Sequence, residues 1–241
     1  MSMEPRYAIY FVPGTESPLY RFGAAVLGYD CYTGRDIAPP AGVDAPSWAA
    51  IVREPRVYGF HATLKAPFRL AKGLHESDLV DAASGFAECQ SAVLGGDLAV
   101  RALGSFIALV PAAACPDIDR LARACVRAFD RFRAPMPAED RARRLAAGLT
   151  PRQVEHLDRW GYPYVFDDFR FHMTLTGPLA PPERERTLAL LCEKFEQARG
   201  ARALRIDRIV IARQDDKSAP FGVIAAAALG HSALRPYAYS F

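Results

Sequence analysis

Short apolar runs alternate with stretches of helical periodicity along most of this chain. Tyr7 to Val12 is a compact apolar and aromatic run closed by Pro13-Gly14, which predicts a buried strand ending in a turn. Pro18 to Leu27 follows with helical spacing and stops at Gly28. Residues 33–46, rich in Gly, Pro and Asp, predict a loop, and Ser47 to Arg53 one or two helical turns. Tyr58 to Phe68 predicts a second strand, limited by Pro67. Glu76 to Cys89 carries Leu79, Ala82, Ala83 and Phe86 on one helical face. Strands are then expected at Leu98–Leu103 and Phe106–Val110, a helix from Pro116 to Phe132, and a strand at Phe169–Leu175. A helix from Pro182 to Arg199 and strands at Ala203–Ala212 and Phe221–Leu229 complete the pattern.

The pattern repeats. AIYFVPG followed by a helix matches FIALVPA followed by a helix, at an offset of 98 residues. Each half then reaches a His-x-Thr-Leu strand, at His61 and His172. The second takes 13 more residues to do so, and the polar segment 135–165 accounts for the excess. That segment contains Arg141, Arg143 and Arg144, with a helix start at Thr150-Pro151. The expected fold is α+β: a duplicated bilobal domain with repeats at about 6–104 and 105–230. Two antiparallel-sheet lobes with outer helices would surround a central cleft, and a helical insertion would occupy 135–165.

Side chains alternate across a strand. His61, Thr63 and Lys65 should therefore share one face, and Arg170, His172, Thr174 and Thr176 another. The opposite faces, Phe60, Ala62 and Leu64 in one strand and Phe171, Met173 and Leu175 in the other, are wholly apolar. Each motif strand thus has one face for the core and one that looks into a cleft. A single strand histidine is usually structural; two at matching places, each followed by threonine, point to chemistry. Histidine has an unperturbed pKa of about 6.5, which suits both proton removal and proton donation near neutral pH. The expected roles are acid and base for His61 and His172, with the order open. Thr63 and Thr174 would hold phosphoryl oxygens, and Lys65 and Arg170 would supply positive charge.

The motifs HATL at 61–64 and HMTL at 172–175 resemble the two-histidine phosphoesterase superfamily, defined by paired H-x-[ST]-x motifs in a duplicated fold. The phrases RYAIYFVP, YGFHATLKAPF, LTPRQ, DRWGYPYV and FRFHMTLTG are most similar to an uncharacterised bacterial branch associated with phosphonate-utilisation operons. The resemblance implies a metal-independent cyclic phosphodiesterase that needs no cofactor and acts on a small ribose-phosphate-type metabolite. An enzyme of RNA 2′,3′-cyclic ends, or a non-catalytic phosphometabolite-binding protein, are the alternatives.

Composition narrows this little further. The 241 residues carry a net charge of +3 without a clustered basic run, which disfavours RNA without excluding it. Five cysteines without a C-x-x-C pair suggest neither a disulfide framework nor a zinc knuckle. No apolar run reaches the roughly 18 residues of a membrane span, and no signal peptide is evident, so a cytoplasmic monomer is expected. Weaker candidates read as structural: Tyr58 facing the core with Phe60, His75, His156 and His231 on the surface, Asp167-Asp168 in a turn, and Trp160 with Tyr162-Pro163-Tyr164 as anchors of the insertion.

Overall fold

The computed structural model describes residues 4–198 and 200–230 and the backbone of 234–236. The chain opens with β1 (Arg6–Phe11), α1 (Pro18–Leu27), a small hairpin of β2 (Tyr29–Asp30) and β3 (Arg35–Asp36), and α2 (Ala45–Arg56). The first motif strand, β4 (Ala62–Phe68), leads to α3 (Glu76–Glu88), β5 (Val93–Leu103), β6 (Phe106–Pro111) and α4 (Pro116–Phe129). The insertion holds α5 (Ala138–Leu145) and α6 (Pro151–Trp160). Next come the second motif strand β7 (Met173–Thr174), α7 (Pro181–Gln197), β8 (Ala203–Ile206), β9 (Arg208–Gln214), β10 (Gly222–Ala228) and β11 (Leu234–Pro236). His231 lies outside the described residues.

Helix α1 occupies the residues that its sequence predicts. Ser17 Oγ accepts from the Leu19 amide at 3.2 Å, Pro18 takes the first turn, and the apolar face buries Leu19, Phe22, Val26 and Leu27. Gly23 sits where this helix crosses Phe60, the residue before His61. A methyl group there would lie 2.2 Å from the Phe60 ring, so only glycine permits the approach.

Nine strands form one sheet in the order β11-β10-β9-β1-β4-β7-β6-β5-β8, with antiparallel pairings throughout the described residues. The two separate sheets expected from the sequence are therefore one. The strands outside the central pair are exchanged: β5 pairs with β6 and β8, whereas β9 returns to pair with β1. The 104/105 repeat boundary consequently falls inside the β5–β6 hairpin, at its Leu103–Phe106 turn.

The sheet has to curl. Six strand positions separate β8 from β9, ~29 Å in a flat sheet at ~4.8 Å per strand. Yet only Asp207 joins Ile206 to Arg208, a reach of ~7.6 Å. The run Ala203–Ala212, expected as one strand, is thus two strands in distant sheet positions. The other departures are at strand edges. β7 pairs over two residues rather than seven, and Tyr58 to His61 precede β4 instead of joining it.

The insertion forms the helical pair expected. Arg141 bonds both carboxylate oxygens of Asp158, at 2.6 and 2.9 Å, and fastens α5 to α6. Helix α5 buries no residue and α6 buries only Leu157, so this pair is peripheral. The chain that leaves it, 162–169, turns back toward the motif strands.

Because Phe60 is packed without space to spare, Gly23→Ala is expected to destabilise the fold by about 1–3 kcal/mol, the usual range for overpacking. A urea midpoint equal to that of the parent protein would refute this account of the α1 contact.

Candidate active site

The two motif strands meet directly. Ala62 pairs with Met173 in antiparallel register at the middle of the sheet, and both side chains are fully buried on the core side. The same register sets His61 across from Thr174 and Thr63 across from His172. All four are half-buried, on the face that alternation assigns away from the core. The sequence-predicted quartet is therefore brought together.

Each imidazole is oriented by a backbone carbonyl two residues upstream. His61 Nδ1 lies 2.9 Å from the Gly59 carbonyl, and His172 Nδ1 lies 2.8 Å from that of Arg170. A carbonyl oxygen only accepts, so Nδ1–H must donate in both rings. Both Nε2 atoms are then left for chemistry, that of His61 standing 3.2 Å from Thr63 Oγ1. Gly59 can present its carbonyl because it adopts φ +70°, and a Cβ there would meet Cys31 at 2.7 Å.

The two rings differ in surroundings. His61 stacks on Tyr10, with centroids 3.9 Å apart. Burial pushes its pKa down to about 4; the Gly59 carbonyl opposes this shift, and the nearby His172 adds to it. His61 is therefore neutral near pH 7. His172 has Phe106 at 5.8 Å and opens on a cleft of about 880 Å³. Thr63, Arg170, Tyr162, Phe166 and residues of α4 also line that cleft.

Arg170 is exposed at the cleft wall, its guanidinium bonded to the carbonyls of Asp167 and Phe169. Lys65 is elsewhere, contrary to expectation. Tyr10 pairs with Thr63 but Ile9 pairs with Lys65, so Leu64 is an extra residue and the alternation breaks there. Lys65 turns to the opposite side. With 4% exposure, its ammonium lies 3.0 Å from Asp130 and 3.3 Å from the Val126 carbonyl. Burial lowers its pKa, and Asp130 works against that shift. Thr176 is also turned inward: its hydroxyl accepts from the Ile107 amide and donates to the Gly177 carbonyl.

Three aromatic residues, two of them beside His61 and one in the cleft wall, are not marked as site residues by the sequence. Tyr10 belongs to β1, the hydrogen-bonded neighbour of β4, and its register with Thr63 is the signal that would have found it. Tyr58, expected in the core, is 38% exposed and lies 6.2 Å from the His61 ring. Tyr162, expected to anchor the insertion, lines the cleft. His156, expected on the surface, is half-buried with Nδ1 3.3 Å from Asp168. Asp167 and Asp168 lie in a turn as expected, paired with Arg123 and Arg152. Among the described residues, no three His, Cys, Asp or Glu side chains gather in a metal-binding arrangement. No helix there is long and apolar enough to cross a membrane.

A family described as "Protein of unknown function (DUF1045)" matches residues 63–222. The chain belongs to that family. It is 38% identical over 221 residues to a ribose 1,5-bisphosphate phosphokinase PhnN of Janthinobacterium sp. (strain Marseille), covering 90% of this chain and 49% of that protein. It is also 38% identical over 196 residues to a protein of the same name from Laribacter hongkongensis (strain HLHK9), covering 80% and 45%. The chain thus spans about half the length of the curated relatives it matches. A solved structure, the conserved protein of unknown function ATU0111 from Agrobacterium tumefaciens str. C58, aligns with a TM-score of 0.43 at 12% identity, over 95% of this chain and 87% of that one.

Two outcomes follow from the buried groups. Asp130→Ala strands the Lys65 ammonium and should cost about 3–5 kcal/mol in urea unfolding, whereas Lys65→Met leaves Asp130 bonded to Arg133 at 2.9 Å and should be close to neutral. Equal losses would overturn this reading of the pair. For His61, the folded pKa of about 4 lies below the ordinary value of about 6.5. Below pH ~6.5 the unfolded chain binds a proton that the folded chain refuses. The His61 contribution is therefore complete above that pH and lost as pH falls toward 4. Urea midpoints taken from pH 7 to 4.5 should fall less steeply in His61→Gln than in the parent; identical slopes would contradict the shift.

Proposed function

We propose that this protein is a metal-independent phosphodiesterase that hydrolyses a cyclic phosphodiester of a small ribose-phosphate-type metabolite. The observation that carries this reading is the head-to-head placement of the two His-x-Thr segments on paired strands, each Nδ1 engaged and each Nε2 left for chemistry. On this reading the chain is a two-histidine phosphoesterase, and its sheet is two related halves joined at β4–β7.

The surroundings of the rings suggest their order of action. His61, kept neutral, takes a proton from water as its oxygen attacks phosphorus. The bond from phosphorus to one ring oxygen breaks, and His172, as imidazolium, gives that oxygen a proton. The products are a phosphomonoester and a free hydroxyl. Thr63, Thr174 and Arg170 would hold the nonbridging oxygens, whose charge grows as the water adds.

The names of the relatives support the substrate class. Those longer proteins are called ribose 1,5-bisphosphate phosphokinases, and this chain corresponds to about half of each. The Gly-x4-Gly-Lys-Ser/Thr loop of P-loop nucleotide enzymes does not occur in its 241 residues. On this reading the kinase activity in those names belongs to the part of the relatives that this chain does not cover. Opening a ribose 1,2-cyclic phosphate that carries a 5-phosphate yields ribose 1,5-bisphosphate, the compound such a kinase would consume. A role in phosphonate degradation agrees with the operon association of the similar sequences. The 880 Å³ cleft favours a second reading, a 2′,3′-cyclic phosphate on a nucleotide or RNA end, because it exceeds what a cyclic pentose phosphate fills.

Phosphorus NMR in excess EDTA, with ribose 1,2-cyclic and nucleoside 2′,3′-cyclic phosphates, tests both. Turnover of the ribose ester is expected, with a loss of roughly 100-fold or more in each of His61→Ala and His172→Ala. The pH–rate profile should be bell-shaped, its acid limb near pH 4 where His61 protonates. Preference for the nucleoside esters would select the second reading. Full activity in either histidine variant would end the acid–base proposal.

A further inference from the structure

The hydroxyl of Tyr10 has no hydrogen-bond partner among the described residues, although Tyr10 is 1% exposed. A buried hydroxyl normally finds a partner, and one left without it costs free energy. The cost is borne beside a catalytic imidazole, for the Tyr10 ring is the one stacked on His61. Burial raises the Tyr10 pKa well above its ordinary value, so the group is a neutral phenol able to donate or accept.

Most of its neighbours are aromatic. Phe221 lies 6.0 Å from the Tyr10 ring and stacks on Tyr58 at 5.4 Å. Tyr58 and Tyr162 are close enough for their phenols to act electrostatically on that of Tyr10. Tyr58 is partly open to solvent and Tyr162 lines the cleft, so the two phenols flank the buried Tyr10 on its approach from outside. Arg6 also acts on the Tyr10 phenol; its guanidinium is bonded to the neutral Gln214 amide and lies over the Phe221 ring, 5.5 Å from its centroid. Neutral phenols and ring faces beside a neutral imidazole are poorly suited to a phosphoryl dianion. They suit an uncharged ring that carries hydroxyl groups.

We infer that Tyr10, with Tyr58 and Tyr162, forms the subsite for the sugar portion of the substrate, and that a sugar oxygen supplies the hydrogen bond that the Tyr10 hydroxyl lacks. Tyr10 is then a specificity residue. This rests on the phosphoester reading of the histidine–threonine quartet and adds to it a separate place for the sugar.

Tyr10→Phe removes the hydroxyl and keeps the ring that supports His61. Its melting temperature should not fall, because an unpaired polar atom has been removed. The ratio of kcat/KM for a ribose 1,2-cyclic phosphate to that for ethylene cyclic phosphate, which has no sugar, should drop at least fivefold, through KM. A smaller change in the ratio, or an equal fall for both esters, overturns the subsite, the latter because Tyr10 would then act through His61. Tyr58→Leu, at a solvent-open position, should shift the ratio the same way and serves if Tyr10→Phe loses its fold. Calorimetry separates the subsite from the hydrolytic reading. The parent protein should bind ribose 5-phosphate more tightly than inorganic phosphate, and Tyr10→Phe should reduce that preference at least fivefold. A parent without the preference, or a variant that keeps it, overturns the subsite. If the preference behaves as expected and the parent hydrolyses nothing, the subsite stands and the hydrolytic reading fails.

Discussion

The antiparallel pairing of Ala62 with Met173 is the constraint on which the rest of the site depends. Two residues with no polar side-chain atom, both at 0% exposure, fix the register in the middle of the sheet. Because side chains alternate, that register carries the flanking histidines and threonines to the other face in crosswise positions. Slipping either strand by one residue would bury its histidine and threonine and expose its alanine or methionine, so the apolar core enforces the geometry of the candidate site. A site placed at the centre of a sheet, away from its edges, inherits that rigidity.

Around this pair the molecule treats the two imidazoles differently. His61 has an aromatic ring pressed on its face, and a glycine in the left-handed region aims a carbonyl at its Nδ1. His172 is bonded in the same manner but borders the open cleft. Motifs that look equivalent in sequence thus meet unlike surroundings, and burial lowers the proton affinity of His61. The proposed hydrolysis needs one group that accepts a proton and one that releases it.

Much of this is legible in the residues alone. The wholly apolar faces of the two motif strands identify which side enters the core, and α1 begins and ends where Ser17-Pro18 and Gly28 say it does. The fate of Lys65 is not legible, because the extra residue at Leu64 shows only in how β4 pairs with β1. Tyr58 was misplaced for a similar reason: alternation was extended into residues that precede the strand. The exchange of β5 and β9 between the halves depends on long-range pairing, which local periodicity does not encode. Tyr10 is hidden because an apolar strand that carries tyrosines reads as core until its neighbour across the sheet is known.

The single-residue link at Asp207 also bears on how the molecule comes into being. β1 lies between β4 and β9, and β9 ends at Gln214, more than 200 residues later. During synthesis, the strand that supports His61 therefore lacks one of its neighbours until Gln214 has been made. Contacts of such sequence separation are slow to form. A chain divided at the 104/105 boundary would leave β5 in one piece and its partners β6 and β8 in the other, so the internal repeat does not mark two units that can be separated.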